Sequence, residues 1–179
     1  GRGAGGGAGA QQETEGAQMI ELRASEQSQR EIGEFLRLLD ELANPPESAI
    51  RPIQEGIRAG FAAIFASEGE AGEAPWAQLA EMTRRQRERL GYPPAHPILQ
   101  RSGVYRRSFT DEHHVNHVSE WSAGGGVWRI AEGSTDERAD RLEFGDPRTP
   151  ARPVTILGAA GEARLSYVLD QLFEDWFEG

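Results

Sequence analysis

The sequence predicts an α+β fold: a small, mostly antiparallel β-sheet packed against several α-helices, with a flexible Gly-rich arm at the N-terminus. Three observations predict it. Apolar residues recur at helical spacing in two long stretches of the first half and again near the C-terminus. Two short runs with strand-like patterning flank Gly124-Gly125-Gly126. Residues 1–16 hold seven glycines and no large apolar side chain. Helices gathered before and after a hairpin, rather than alternating with single strands, separate this class from the parallel-sheet folds.

The elements follow in order. A glycine-rich stretch cannot bury enough apolar surface to offset its ordering entropy, so residues 1–18 are expected to be a flexible extension and 19–179 the folded domain. Met19-Ile20-Glu21-Leu22-Arg23-Ala24 alternates as a half-buried strand does. From Ser28 the period becomes helical. Ser28 and Glu31 have capping-box spacing, and Ile32, Phe35, Leu36, Leu39 and Leu42 fall on one face. Asn44-Pro45-Pro46 ends that helix, because proline donates no hydrogen bond to the ladder. A second helix is expected over about residues 46–67, with Ile50, Ile53, Ile57, Phe61, Ile64 and Phe65 as its apolar set and Pro52 early in it. Residues 68–74, rich in Gly and Glu, read as a surface loop.

Trp76, Leu79 and Met82 place a third helix over 76–90. The three prolines of Pro93-Pro94-Ala95-His96-Pro97 forbid a helix there. A short helix is expected over 98–107. Val115, His117, Ser119 and Trp121 alternate as one face of a strand, the three glycines make a turn, and Val127-Trp128-Arg129-Ile130 returns. Another short helix is expected over 135–142, turns over 145–152, and a short apolar strand over 154–157. A closing helix over 161–177 carries Leu165, Val168, Leu169, Leu172, Phe173 and Trp176 on one stripe. No internal repeat is visible.

Composition removes several functions. The 179 residues contain no cysteine, which excludes disulfides, thiolate metal sites and cysteine nucleophiles. All 19 basic residues are arginine, so neither a P-loop lysine nor a Schiff-base lysine is available. No apolar run nears the ~18 residues of a membrane span, and the opening residues lack the apolar centre of a secretory signal. A formal charge of −10 argues against a general nucleic-acid coat. The charge is nevertheless uneven: residues 84–107 carry seven arginines against Glu88 alone, while the segments on either side are acidic. A basic segment between acidic ones suits a subunit that binds copies of itself or charged neighbours.

Chemistry-bearing clusters are few. His113, His114 and His117 are the strongest candidates for a metal-dependent hydrolase, since a spacing of four puts His113 and His117 together on a helix. The surrounding alternation favours a strand, and the glutamate that a zinc hydrolase places after its first histidine is replaced by His114. Solvated or interface histidines are the expectation. Glu174, Asp175 and Glu178, and likewise Asp136, Glu137 and Asp140, read as solvated helix faces. Ser102-Gly103 lacks the preceding glycine of a nucleophile elbow. Arg84, Arg85, Arg87 and Arg89 offer a second alternative, contact with a DNA backbone in a connector. With no active site in view, no catalytic residue, cofactor or metal is expected, and a binding or structural role is favoured over an enzyme.

Four short patterns in the second half carry a resemblance. They are Pro75-Trp76-Ala77-Gln78-Leu79 followed by Thr83, then Ile98-Leu99-Gln100-Arg101-Ser102-Gly103-Val104-Tyr105-Arg106-Arg107-Ser108, then Leu142-Glu143-Phe144-Gly145, then Pro150-Ala151-Arg152-Pro153-Val154. In this order and spacing they resemble the virion-morphogenesis family of tailed phages, the Mu-like tail-completion proteins. That family shows W-x-x-L, I-L-x-x-[ST]-G-x-L-x-x-S, H-x-F-G and P-x-R-P-[FV] before a C-terminal helix. Met19-Ile20-Glu21-Leu22 is similar to its usual beginning. Tyr105 and Leu142 depart from the leucine and histidine common at those points.

The resemblance implies a non-enzymatic virion protein of the head–tail neck or tail end, assembled in the host cytoplasm. It implies a ring homo-oligomer of 6 or 12 copies between a portal, connector or adaptor and tail-tube or terminator proteins; the arginine segment adds DNA in a central channel as an alternative contact, and no membrane contact is expected. Trp76, Leu79, Leu99, Gly103, Ser108, Phe144, Gly145 and Pro153 are its motif and packing positions. Arg84, Arg85, Arg87, Arg89, Arg106, Arg107 and Arg152 are the candidate subunit interface. Arg152, between prolines, is suited equally to a fixed ion pair with a neighbour and to packing within its own domain.

Overall fold

A computed structural model describes residues 25–93 and 96–178, with the side chains of 177 and 178 excepted. The expected strand over 19–24 and the flexible arm lie outside the described residues. The chain divides into two compact units between Phe35 and Leu36. The described part of the first unit is the N-terminal half of one helix.

Among the described residues the fold is α+β, with six helices and one two-stranded antiparallel sheet. The helices are α1 (Glu26–Ala43), α2 (Glu47–Ala66), α3 (Glu81–Arg89), α4 (Val104–Thr110), α5 (Ala139–Phe144) and α6 (Ala159–Glu178). The strands are β1 (His117–Gly124) and β2 (Val127–Ser134), between α4 and α5. α1 starts one turn earlier than the capping-box reading of Ser28 placed it. The Ser25 hydroxyl accepts from the Ser28 N–H at 3.1 Å, so Ser25 is the capping residue and Ser28 lies inside the helix.

α2 is the central element. Its apolar set packs inward as the spacing requires, with Ile50, Ile64 and Phe65 wholly buried. It meets α4, α6 and β2. Gly60 allows the segment before α6 to come close, since a Cβ there would sit 2.6 Å from Leu157 Cδ2. Beside α2, Phe61, Phe65, Trp76, Tyr105 and Phe109 form a run of edge-on or tilted aromatic contacts with centroids 5.2 to 6.0 Å apart. Ile98, Leu142 and Val154 close this core.

The hairpin is tight. Gly124 pairs with Val127, leaving Gly125 and Gly126 as a two-residue turn at φ +59° and +74°. Both angles lie in the region that favours glycine, and such a turn matches the twist of the flanking strands. The face carrying His117, Ser119, Glu132 and Trp128 is the more buried one; Glu120, Ser122, Arg129 and Ala131 are exposed.

Four expected elements are displaced. Residues 76–80 are not helical, and α3 begins only at Glu81. The Trp76 N–H bonds the Glu68 carbonyl at 2.7 Å and its indole N–H bonds the Pro153 carbonyl at 3.0 Å, tying the segment into the core. Met82, expected on the apolar stripe, is exposed. The helix expected over 98–107 begins at Val104, because Leu99 and Gly103 take φ of +60° and +71°. α5 starts four residues later than the expected 135. Residues 154–157 pair with no strand among the described residues; the Val154 N–H is taken by the Glu143 carboxylate at 2.8 Å. The 68–74 loop is partly interior, with Gly69 buried.

Candidate functional site

The three histidines separate. His113 is exposed, with Glu112 at 3.7 Å, and lies with His114 in the turn before β1. The His114 Nδ1 accepts the Asn116 N–H at 3.2 Å. Only His117 is on the strand, and its side chain is 1% exposed, so the expectation of a solvated histidine fails for it. The Ser108 carbonyl accepts from His117 Nδ1 at 3.1 Å, which places a proton on that nitrogen. Nε2 lies 3.1 Å from Glu132 Oε2, at an angle that makes no hydrogen bond. No group of three His, Asp or Glu side chains among the described residues is arranged to hold a metal.

His117 instead borders a buried charge network that the sequence reading did not single out. The Glu132 side chain is wholly buried, and both its carboxylate oxygens accept from Arg58 Nη1 at 3.3 Å. Arg58 Nη2 reaches Glu112 at 3.2 Å, and the Ser119 hydroxyl donates to Glu132 at 2.5 Å. A charge flanking the buried stripe of α2 was the available signal. Its partner, 74 residues away, was not visible.

The four patterns that carry the resemblance interlock. Trp76 anchors to Pro153 as described. Arg152 is 5% exposed, and its Nε and Nη2 both donate to the Ala77 carbonyl at 3.1 and 2.9 Å. The ion pair with a neighbour therefore gives way to packing within the domain: Arg152 braces its own chain, joining the first pattern to the fourth. The Arg152 N–H bonds the Leu142 carbonyl at 2.6 Å, and the Glu143 carboxylate accepts from Val154, Thr155 N–H and the Thr155 hydroxyl, joining the third to the fourth. Gly145 has φ +74°, and a Cβ there would stand 2.8 Å from the Ala151 nitrogen. From the second pattern, Ser108 is wholly buried, donates to the Tyr105 carbonyl and accepts from Ser134, both at 2.7 Å. Leu79 and Leu99 pack half-buried against the core. Phe144 is the exception. Expected to pack, it is 80% exposed at the end of α5.

The other candidate arginines differ in freedom. Arg84 and Arg85 both pair with Glu81 within α3, and these contacts, Arg84 first, hold the exposed Glu81 carboxyl below its usual range. Arg87 Nη1 donates to the His96 and Pro97 carbonyls at 3.2 Å each. Arg106 reaches Gln100 at 3.4 Å, and Arg89 and Arg107 are exposed. Asp136, read as part of a solvated helix face, is buried before α5 and gripped by Arg138 through Nε at 2.7 Å and Nη2 at 2.5 Å. That side-chain bond holds its carboxyl below the usual range against the opposing effect of burial.

An apolar surface completes the picture. α1 buries no residue, and its Leu36 and Leu39 are 58 and 44% exposed. Leu39, Leu42 and Ala43 line a shallow groove of about 520 Å³ with Trp128, Leu169 and Phe173. The Trp128 indole donates to the Leu42 carbonyl at 2.7 Å, fixing that wall. Comparison with protein-family profiles, curated proteins and solved structures finds no match to this chain.

Proposed function

We propose that this chain is a structural subunit of the head–tail joint of a tailed virion or virus-derived particle, acting without catalysis as one member of a ring of 6 or 12 copies. The observation that carries the reading is the bare apolar face of α1. A helix with this patterning gains its stability from covering its stripe, and here Leu36 and Leu39 are open to solvent. A second copy of the chain would cover them. The interlocked patterns at Trp76, Ser108, Gly145 and Arg152 support the resemblance by giving its residues structural work: they hold one core together, as motif positions of a structural protein do. Arg89 and Arg107, exposed and set against acidic segments elsewhere in the chain, would supply charge complementarity between neighbours. In the particle the ring would sit between a portal, connector or adaptor and the tail-tube or terminator proteins, with DNA passing through its channel.

Light scattering on the purified full chain tests this. A discrete species of 6 or 12 copies is expected. A monomer at every accessible concentration would overturn an intrinsic ring, and exclusion of the chain from purified particles would overturn the virion assignment itself.

A further inference from the structure

One pocket of about 230 Å³ has walls of a single charge. Arg87 from the last turn of α3, Arg101 and Ser102 from the turn before α4, Tyr105 from the first turn of α4, Arg138 at the cap of α5 and Arg141 within it line the pocket. Four guanidinium groups line it, and no carboxylate does. Arg138 is held in place by Asp136 from outside the lining and lies over the Tyr105 ring at 5.4 Å. Arg87 spends Nη1 on two carbonyls, which orient it without neutralising it. Among the described residues Arg101 and Arg141 have no carboxylate within ion-pair distance. The Tyr105 hydroxyl is buried and has no hydrogen-bond partner among the described residues.

Burial first, and then the charge of Arg101, push the Arg87 guanidinium below its usual range, so two cations already oppose each other here. Burial, with Glu143 and Asp136 next, pushes the Tyr105 phenol up, which keeps it a neutral donor. Four arginines with no carboxylate among the lining residues call for an anion with several oxygens. A carboxylate offers two oxygens and one charge, which a single arginine fork satisfies. Phosphate offers up to four oxygens and two charges, and guanidinium groups recognise it by the same fork geometry.

We propose that this pocket is a binding site for a phosphate group, held by Arg87, Arg101, Arg138 and Arg141. The site does not depend on the ring reading. Its phosphate could come from a free phosphate or nucleotide, or from a nucleic-acid backbone.

Calorimetric titration of the full chain with inorganic phosphate, at ionic strength matched with chloride, tests the site. One saturable site per chain is expected, with affinity falling roughly tenfold or more in Arg101→Gln and in Arg141→Gln. Both side chains are exposed and lack ion-pair partners among the described residues, so both variants should fold, and circular dichroism checks this. Arg129→Gln, on the exposed face of the hairpin, should bind phosphate as the unaltered chain does. Absence of saturable binding, retention of binding in both pocket variants, or an equal loss in Arg129→Gln would overturn the proposal. A second titration adds short duplex DNA to the phosphate-loaded chain. Displacement of phosphate that is lost in Arg101→Gln supports the site with the backbone as its source. Phosphate binding that DNA does not displace supports it with a free phosphate group as its source.

Discussion

α1 and α2 have similar length, 18 and 20 residues, and both carry an apolar stripe at helical spacing. α2 buries nine residues and α1 buries none. The pattern in the sequence is alike, and the fate of the two stripes is opposite. Periodicity therefore establishes that a helix has a partner face and leaves open which chain supplies the partner. For α2 the partners are α4, α6 and β2 of the same chain. On α1, Leu36 and Leu39 stay exposed, and its C-terminal end meets the rest of the chain through the Leu42 carbonyl and Trp128.

The strongest way to sharpen the contrast is to truncate the α2 side. Phe65 is wholly buried and makes edge-on or tilted contacts with Trp76, Tyr105 and Phe109. Phe65→Ala should cost about 3–5 kcal/mol, combining lost transfer energy with a cavity. Denaturant unfolding measures it. A cost below about 1 kcal/mol would mean that α2 is not the centre of the core.

The next largest effect is expected at the α2 charge. Arg58→Met leaves Glu132 buried without its cation and should cost about 3 kcal/mol. Adding Glu132→Leu should recover most of that loss, because the uncompensated charge is then gone. If the double variant is as unstable as the single one, the network contributes through packing rather than charge.

Asp136→Asn gives a smaller, pH-dependent effect. The folded carboxyl lies below its unfolded value of about 3.9, so its contribution is present above about pH 4 and is lost as pH falls through the folded value. The Asn variant should be about 1–2 kcal/mol less stable near neutral pH, a figure held down by the partial exposure of Arg138. Acid unfolding should show the two curves converging at low pH. A gap independent of pH would remove the ionic explanation.

What the sequence made legible divides along physical lines. α1, α2, α6 and the Gly125-Gly126 hairpin follow from local period and turn chemistry, and the structure contains them all. The shifts at Trp76, Val104 and Ala139 have non-local or backbone causes. Trp76 is drawn from a helix by Pro153, 77 residues away, and the start of α4 is set by Leu99 at φ +60°, which no propensity announces. The candidate sites fared likewise. The arginine-rich segment was visible as a count, but Arg87 and Arg101 meet Arg138 and Arg141 only through the fold. Arg152 was visible as a motif residue, while its bond to Ala77, 75 residues away, was not.

The smallest expected effect on the isolated chain carries the most weight for function. Leu36 is 58% exposed on α1, and glutamine has nearly the same helix propensity as leucine. Leu36→Gln should therefore change unfolding free energy by less than about 0.5 kcal/mol. The same change places an amide where a neighbouring copy would bury a leucine, and an unpaired buried amide opposes association. Light scattering should then show a shift from the oligomer toward monomer at equal concentration. A stable, unaltered oligomer would place the subunit contact away from α1. A large loss of monomer stability would mean that the α1 stripe is covered within its own chain, and the contrast with α2 would collapse. The two readings separate because one depends on protein concentration and the other does not.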